Sequence, residues 1–363
     1  MKTWKTVFSL LLLFSVTVIS CVSAADKEKP AQPIAKPEAP KQTLPLISGI
    51  YTADPSAHVF DGKIYIYPSH DLDEDAAADM DGGQYNMKDY HVFSMDSVDS
   101  KPIDHGEVLN IKDVPWAGKQ MWAPDAAYKN GKYYFYFPAK DKDEIFRIGA
   151  AVSDNPAGPF VPEKSYIPGS FSMDPAVFID DDGTAYMYFG GLWGGQLEKW
   201  TNGKYDENGS GPSGTKPALG PYVAVMNGNM KEFASGPAMI TIRDQNGAPI
   251  SAGDNIRRFF EAAWMHKYNG KYYLSYSTGD THLIVYAIGD NPTGPFTYKG
   301  IVLKPVTGWT NHHSIIEFQG KWYLFYHDCT ISKGVDHMRN VKMTELFYNE
   351  DGTIRTIDPY PNN

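Results

Sequence analysis

Three carboxylic acids stand in matched contexts along the chain. Asp54 lies in ADPSAHVFDGKIYIY, Asp174 in MDPAVFIDDDGTAYMYF and Glu261 in FFEAAWMHKYNGKYYLSY. Each precedes a strand that leads into a turn, and each has apolar or small neighbours. Hydrolysis of an acetal needs one protonated acid for the leaving oxygen and one carboxylate that activates water or attacks carbon. The three acids therefore indicate acid–base chemistry rather than three solvated surface charges.

The surroundings of the three acids favour different roles. Glu261 lies in the apolar stretch 259–264, so burial is expected to raise its pKa and suit it to the role of general acid. Asp54 is followed by polar residues and suits the role of base. Asp174 is then the neighbour that orients Glu261 and tunes its proton affinity, because carboxylates that share a cavity repel one another and keep one of them protonated.

A turn followed by an aromatic, alternating strand occurs five times. The copies read DGKIYIY, NGKYYFYF, DGTAYMYF, NGKYYLSY and QGKWYLFY, and their glycines are 50 to 87 residues apart. Glycine accepts positive φ in Asn-Gly and Asp-Gly turns, and aromatic residues suit a half-buried pleated surface. Each copy therefore predicts a β-hairpin, and the spacing is typical of propeller blades or solenoid units.

The repeats predict how the acids are brought together. Six to nine residues before the five turn glycines stand polar residues, namely Asp54, Asp125, Asp174, Glu261 and His312. No amphipathic run of helix length is present, so we expect an all-β, five-bladed β-propeller with antiparallel four-stranded blades around a central axis. Corresponding positions would converge on that axis and form one site from every repeat.

Several tryptophans are candidates for sugar contacts. Trp122, Trp264 and Trp309 are placed to offer flat faces to a sugar, with plain blade packing as the alternative for each. The Gly-rich polar stretches 71–88 and 190–220 indicate inserted loops. The second stretch carries Trp193 and Trp200 and is expected either to wall a pocket or to decorate the surface.

The N-terminal region predicts export. Residues 1–20 carry two lysines before an apolar run and are typical of a secretory signal. The Val18-Ile19-Ser20-Cys21 segment resembles a bacterial lipoprotein signal with a lipid on Cys21, and cleavage after Ala24 is the alternative. Residues 21–45, rich in Pro, Lys and Ala, predict a disordered tether, which leaves 46–363 as the catalytic propeller. The expected location is the outer membrane, cell surface or periplasm as a lipoprotein, or otherwise secretion.

Composition excludes other classes of function. The formal net charge is −10 with a pI near 5.5, and no Lys/Arg run interleaves with aromatics, so we expect no nucleic-acid groove. The 24 tyrosines and 8 tryptophans favour a neutral ligand that stacks on rings. The two cysteines are Cys21 and Cys329, so no internal disulfide framework is expected, and Cys329 is interpreted as a core thiol.

Five short motifs occur in order at blade spacing and resemble glycoside hydrolase family 43, the five-bladed propeller arabinofuranosidases and β-xylosidases. The motifs are Asp54-Pro55, Trp122-Ala123-Pro124-Asp125, Asp174-Pro175-Ala176, Glu261-Ala262 and Asn311-His312-His313-Ser314. The resemblance runs from about residue 46 to residue 361. It implies that Asp54 is the general base, Asp174 the pKa modulator and Glu261 the general acid of an inverting hydrolase. Such a mechanism places the base and acid carboxyls roughly 6.5–9.5 Å apart. The family often has glycine where this chain has Ala262.

The resemblance also implies further contacts. His312 is expected to bind a hydrated calcium ion in the central channel, and a structural hydrogen bond is the alternative. Arg339 resembles the family's arginine that holds sugar hydroxyls, with a salt bridge at the rim as the alternative.

The activity that the resemblance implies is exo-acting release of xylose from xylo-oligosaccharides, that is, β-1,4-xylosidase activity. The alternative is an α-L-arabinofuranosidase that acts on arabinoxylan or arabinan side chains. A carbohydrate-binding lipoprotein without catalysis is the rival from another class, and it would need no matched acids. The expected partners are a xylo-oligosaccharide or arabinoxylan substrate, and a membrane only through the lipid on Cys21.

Overall fold

The computed structural model describes residues 44–75 and 77–361. The predicted signal at 1–20 lies outside the described residues, as do residues 21–43 of the predicted tether. Within the described part, no helix has the length and apolar character needed to cross a membrane. The regular elements of the described chain are all β-strands, apart from three 3₁₀ helices of three residues each.

All five predicted hairpins form, with antiparallel strands on both sides of each turn. At Asp61-Gly62 both turn residues have positive φ, 50° and 76°. This is the pattern of a type I′ turn, whose twist matches that of the flanking strands. The turns at Asn130, Asn269 and Gln319 share it, whereas Asp182 stands in a longer connection where only Gly183 has positive φ.

The strands assemble into five small sheets, the blades of a propeller. Blade 1 contains β1 (Tyr51–Phe60), β2 (Lys63–Asp71), β3 (Asp89–Met95) and β4 (Ile103–Asn110), followed by a 3₁₀ helix, Ile111–Asp113. Blade 2 contains β5 (Ala117–Lys119), β6 (Asp125–Lys129), β7 (Lys132–Asp141), β8 (Phe146–Ser153) and β9 (Val161–Pro162).

Blade 3 contains β10 (Ala176–Ile179), β11 (Ala185–Phe189), β14 (Tyr222–Val225) and β15 (Ala238–Met239). Its insertion holds the 3₁₀ helices Trp193–Gly195 and Leu197–Lys199 and a small hairpin of β12 (Trp200–Thr201) and β13 (Lys204–Tyr205). Blade 4 contains β16 (Ile242–Arg243), β17 (Glu261–Tyr268), β18 (Lys271–Ser277), β19 (Ile284–Gly289) and β20 (Phe296–Leu303). Blade 5 contains β21 (His313–Phe318), β22 (Lys321–Asp328) and β23 (Asn340–Leu346).

The blades are less uniform than the prediction of four antiparallel strands each. Blade 4 gains β16, which pairs parallel to β20, and blade 5 has three strands. The last blade is completed from the other end of the chain. The N–H of Leu46 donates to the carbonyl of Val341, and the N–H of Thr52 donates to that of Arg339, both at 2.8 Å.

The five innermost strands form a closed ring. Strand β1 contacts β6, β6 contacts β10, β10 contacts β17, β17 contacts β21, and β21 returns to β1. Apolar clusters fill the spaces between neighbouring blades. Tyr67, Tyr136 and Tyr188 each follow a turn glycine by five residues, are fully buried, and donate their hydroxyls to backbone carbonyls of the next blade at 2.7–2.9 Å. In these three copies the repeated phrase therefore supplies both the hairpin and the bond to the next blade.

Candidate active site

A cavity opens at one end of the central channel, where the inner strands begin. It is lined by Asp54 of blade 1, Asp174 at the entry to blade 3, Glu261 at the start of β17 and His312 at the entry to blade 5. About 780 Å³ of empty space, including solvent at the open mouth, lies between these residues. The structure thus brings together the three predicted acids and the predicted metal ligand.

The backbone is bent at each acid. Asp54 has φ of 48° at a β-bulge, and Asp174 has φ of 56°. After Glu261, it is Ala262 that has positive φ, 61°, within another bulge. A bulge changes the direction in which a side chain points. A positive φ at a residue other than glycine costs about 1–3 kcal/mol, so this conformation persists only where the surrounding structure stabilises it. Here the N–H of Ala262 donates to Oδ2 of Asp174 at 2.9 Å, which fixes the start of β17, where Glu261 stands, to Asp174.

Asp54 is surrounded by hydrogen-bond donors. Arg339 donates through Nη1 to its Oδ1 at 2.9 Å, and the hydroxyl of Ser69 donates to its Oδ2 at 2.6 Å. Its N–H donates to Nδ1 of His327 at 3.0 Å, and burial lowers the pKa of this imidazole to about 3, so the ring is neutral. Burial by itself raises the pKa of Asp54, but the positive charge of Arg339, together with smaller effects of His327, His312 and the Ser69 hydroxyl, outweighs burial and lowers the pKa to about 2. Asp54 is therefore ionised at neutral pH.

Glu261 and Asp174 shift in the opposite direction. Burial raises the pKa of Asp174 to about 6; the charge of Asp54 adds to this effect, while His312 opposes it. The pKa of Glu261 is raised well above its ordinary value, first by burial and then by the negative charges of Asp174 and Asp54. One cavity therefore holds a protonated carboxylic acid and an ionised carboxylate.

Arg339 is buried at the cavity wall and is not part of an exposed rim salt bridge. Its Nε and Nη2 donate to the two carboxylate oxygens of Asp71 at 2.8 Å, and its backbone N–H donates to the same carboxylate at 2.9 Å. Sequence reasoning missed Asp71, which ends β2 inside a stretch interpreted as a loop and carries no motif. A signal was available, since it is an acid at the end of an alternating strand.

The predicted tryptophans divide into two groups. Trp122 and Trp309 line the cavity, and Trp193 from the blade 3 insertion stacks on Trp309 with ring centroids 6.0 Å apart and planes 9° apart. Trp264 was wrongly predicted to face the sugar. Because the bulge after Glu261 shifts the register, Trp264 packs in the core between blades, and its Nε1 donates to the carbonyl of Ile315 at 3.0 Å. The Trp200 side chain is likewise in the core.

Asp125 was expected on the axis with the other acids, but it is not among the residues that line the cavity. Its buried carboxylate accepts hydrogen bonds from His58 Nε2 at 2.7 Å, from the hydroxyl of Ser56 and from the N–H of Val177 at 2.5 Å. It therefore ties blades 1, 2 and 3 together. Blade 2 contributes Trp122 and Ala123 to the cavity in its place.

His312 has the surroundings of a ligand to a hydrated cation. Its Nδ1 lies 3.7 Å from Oδ2 of Asp174 and 3.9 Å from Oδ1 of Asp54. Its ring takes part in none of the hydrogen bonds of the described residues, whereas its neighbour His313 is buried and bonded to the hydroxyl of Ser275 at 2.6 Å. Calcium prefers oxygen ligands, so one imidazole beside two carboxylates fits a cation that keeps most of its waters.

The fold and the cavity together define a glycoside hydrolase. An ionised aspartate and a protonated glutamate face one cavity walled by tryptophans, which is the arrangement that acid–base cleavage of a glycosidic bond requires. The model of Glycosyl hydrolases family 43 matches residues 44–354. The chain belongs to this family.

Individual relatives extend this result over nearly the whole described chain. The xylosidase/arabinosidase 43A of Humicola insolens is 62% identical over 325 residues, which cover 87% of this chain and 99% of that protein. A crystal structure of a β-xylosidase/α-arabinofuranosidase from a compost microbial metagenome, in complex with xylotriose in calcium-free form, has a TM-score of 0.87 at 62% identity and covers 89% of this chain and 99% of its own. The structure of an enzyme of Xanthomonas citri in complex with xylotriose has a TM-score of 0.85 at 54% identity, and the match covers 88% of this chain and 95% of that enzyme's chain. The family, the five-bladed fold and the enzyme class predicted from the motifs are confirmed.

Proposed function

We propose that the chain is an exo-acting, inverting β-1,4-xylosidase that releases xylose from xylo-oligosaccharides and has α-L-arabinofuranosidase activity as a second activity. The observation that carries this proposal is the opposite shift of two carboxyl pKa values around one cavity. The pKa of Asp54 is lowered to about 2, and that of Glu261 is raised well above its ordinary value. Support for the sugar comes from the relatives. The Humicola insolens protein and the metagenomic enzyme are named for both xylosidase and arabinosidase activity, and the structures of the metagenomic and Xanthomonas citri enzymes hold xylotriose.

In the proposed reaction Glu261 gives its proton to the glycosidic oxygen as the bond from that oxygen to the anomeric carbon breaks. Asp54 takes a proton from a water molecule whose oxygen forms the new bond to the same carbon from the opposite face. Single displacement inverts the configuration at that carbon. Afterwards the proton on Asp54 leaves to solvent, and Glu261 takes up a proton for the next turnover.

The other residues of the cavity keep these two groups in their working states. Asp174 holds the backbone beside Glu261 through Ala262, and its charge keeps the proton on Glu261. Arg339 keeps Asp54 ionised. In this proposal Arg339 also contacts sugar hydroxyls, and the tryptophan faces hold the sugar ring by stacking.

A calcium ion is a further part of the proposal. His312 would hold it, and the bound ion would supply positive charge in the channel near the three acids. The calcium-free form of the metagenomic relative supports the proposal, because that description distinguishes it from a calcium-bound form. Metal analysis of the purified chain and of a His312→Ala variant tests it. We expect one calcium per chain in the parent, less in the variant, and a loss of rate after chelation that calcium restores. Unchanged activity after exhaustive chelation would reject an essential ion.

The lipid anchor and export also remain proposals, and their support is the sequence of residues 1–24 alone. Mass spectrometry of the mature N-terminus in a bacterial host tests them. A diacylglyceryl group on Cys21 is expected, together with partition into detergent that a Cys21→Ala variant loses. A mature chain that begins after Ala24 would replace the anchor with plain secretion.

Activity itself is tested with two chromogenic substrates, 4-nitrophenyl β-D-xyloside and 4-nitrophenyl α-L-arabinofuranoside. Glu261→Ala and Asp54→Ala are compared with the parent, and Glu207→Gln, an exposed acid, is the handling control. NMR of the first product should show inverted configuration. Parent-like rates in both acid variants would remove the assigned roles, and sugar binding without turnover by the parent chain would favour the lectin alternative.

A further inference from the structure

A second group of metal-binding side chains lies in blade 1, outside the catalytic cavity. His70 stands near the end of β2, and Asp89 and His91 stand at the beginning of β3. One donor atom from each of the three lies within 4.8 Å of the others. Nδ1 of His70 is 2.5 Å from Oδ1 of Asp89, and the two imidazole rings have centroids 5.0 Å apart. None of the three lines the cavity that holds the acids.

The types of donor in this cluster favour zinc and similar ions. Two imidazoles and one carboxylate are ligands that Zn²⁺ accepts, whereas Ca²⁺ and Mg²⁺ prefer oxygen. Water can complete the coordination. The three side chains are 16–17% exposed, so an ion can reach them from solvent while they remain partly desolvated.

A fourth acid is placed to support the cluster. Oδ1 of Asp104 on β4 lies 3.0 Å from Nδ1 of His91, which leaves Nε2 of that ring for a metal. Ligating histidines commonly bind a carboxylate through their other nitrogen, and this contact sets the orientation and basicity of the ring. An ion pair between His70 and Asp89 alone would need neither His91 nor Asp104.

We propose that His70, Asp89 and His91 form a site for a zinc-type divalent cation, with Asp104 as a positioning residue. The site joins the end of β2 to the start of β3. The segment between these strands supplies cavity-lining residues, namely Asp79, Met80, Gly82, Gln84, Tyr85 and Met87. His70 also precedes Asp71, the partner of Arg339. A bound ion therefore fastens the two ends of a segment that walls the sugar cavity. The proposal does not depend on which sugar the enzyme cleaves.

Calorimetric titration of the metal-free full chain with zinc chloride tests the site. We expect saturable binding of one zinc ion that excess calcium does not displace. Changing His70→Ala or His91→Ala should weaken it at least about 100-fold, and Asp104→Asn about 10-fold, because second-shell changes commonly cost 10–100-fold. His105→Ala removes a neighbouring imidazole outside the cluster and should leave zinc binding unchanged.

Hydrogen exchange provides a second measurement. If His70, Asp89 and His91 only stabilised the fold and bound no metal, added zinc would not change the rate of amide exchange. Zinc should slow amide exchange across residues 77–88 in the parent and in His105→Ala, but not in His91→Ala. Asp104→Asn keeps the test valid should a histidine variant fail to fold. The proposal is overturned if both histidine variants keep full affinity, if calcium binds the cluster equally well, or if His312→Ala abolishes zinc binding, which would place the zinc in the central channel.

Discussion

Nη1 of Arg339 donates to Oδ1 of Asp54 at 2.9 Å, although the two residues are 285 positions apart in the chain. Asp54 belongs to the first inner strand, and Arg339 stands directly before the last strand, so the bond crosses the junction at which the ring closes. This ion pair keeps the proposed base ionised in a buried position. The guanidinium is itself fixed by both oxygens of Asp71.

Ser69→Ala should raise the pKa of Asp54. The variant removes the hydroxyl that donates to Oδ2 at 2.6 Å, which is the smallest of the contributions that lower the pKa of Asp54, so a modest rise is expected. Asp54 has to be ionised to act as base, so the acidic limb of the kcat/KM profile should move to higher pH. The matched control is Ser94→Ala, another buried serine of blade 1. Coincident acidic limbs for Ser69→Ala and the parent would show that Asp54 does not govern this limb.

Arg339→Met should destabilise the fold by roughly 3–5 kcal/mol, because it leaves the buried carboxylates of Asp54 and Asp71 without their cation. Urea unfolding followed by circular dichroism measures this loss. Adding Asp71→Asn to the variant should cost less than the sum of the two single changes, since the second change removes one of the stranded charges. Additive losses would contradict the proposed dependence of one residue on the other.

Asp174→Asn should move the alkaline limb of the kcat/KM profile to lower pH. Glu261 acts in its protonated form, and the negative charge of Asp174 is one of the causes of its raised pKa. Without that charge the proton leaves at lower pH, while the asparagine oxygen still accepts the N–H of Ala262. An alkaline limb that stays in place, or moves upward, would exclude Asp174 as the modulator.

Glu261→Ala should damage hydrolysis of xylobiose more than hydrolysis of 4-nitrophenyl xyloside. A sugar leaving group needs a proton, whereas 4-nitrophenolate is stable without one. General acid catalysis contributes about 10²–10⁴-fold, so the loss with xylobiose should lie in that range and exceed the loss with the aryl xyloside by about 10-fold or more. Asp54→Ala provides the contrast, because a missing base should slow both substrates alike. Equal losses in Glu261→Ala would argue against its acid role.

Trp193→Ala and Trp309→Ala should each raise KM for xylotriose with little change in thermal stability. These stacked rings line the cavity, and aromatic contacts are worth about 0.5–1.5 kcal/mol, or roughly 2- to 12-fold in affinity. Trp264→Phe is the matched comparison. It removes the bond to Ile315 in the core and should lower the melting temperature with KM unchanged. A raised KM in Trp264→Phe, with only a lowered melting temperature in the other two variants, would contradict these assignments.

The parts of the fold that local chemistry decides could be predicted from the sequence. Each of the five turn glycines followed by alternating aromatics forms a hairpin in this chain. Asp54, Asp174 and Glu261 stand eight or nine residues before their turn glycines, and this nearly equal offset carries through to the structure. Because the blades repeat around one axis, side chains at nearly equal offsets lie close together near that axis. The raised pKa of Glu261 also followed from its apolar neighbours.

The remaining features depend on contacts between distant residues. Asp71 and Arg339 are 268 positions apart, and nothing near either one specifies the other. Trp264 follows a bulge that shifts the register of its strand, and its position in the sequence did not distinguish packing between blades from contact with the sugar. Trp193 reaches the cavity because the irregular insertion of blade 3 folds back until its ring stacks on Trp309. The sequence of such a loop has no periodic pattern from which its path could be predicted.

The junction between the first and last blades also sets when the enzyme becomes competent. Leu46 and Asp54 are synthesised almost 300 residues before their partners Val341 and Arg339. Until Arg339 has been added, Asp54, the proposed base, has no arginine to pair with, and the cavity lacks the wall that Arg339 forms. We therefore expect a chain that stops before Arg339 to be inactive, because Asp54 then lacks its counter-ion.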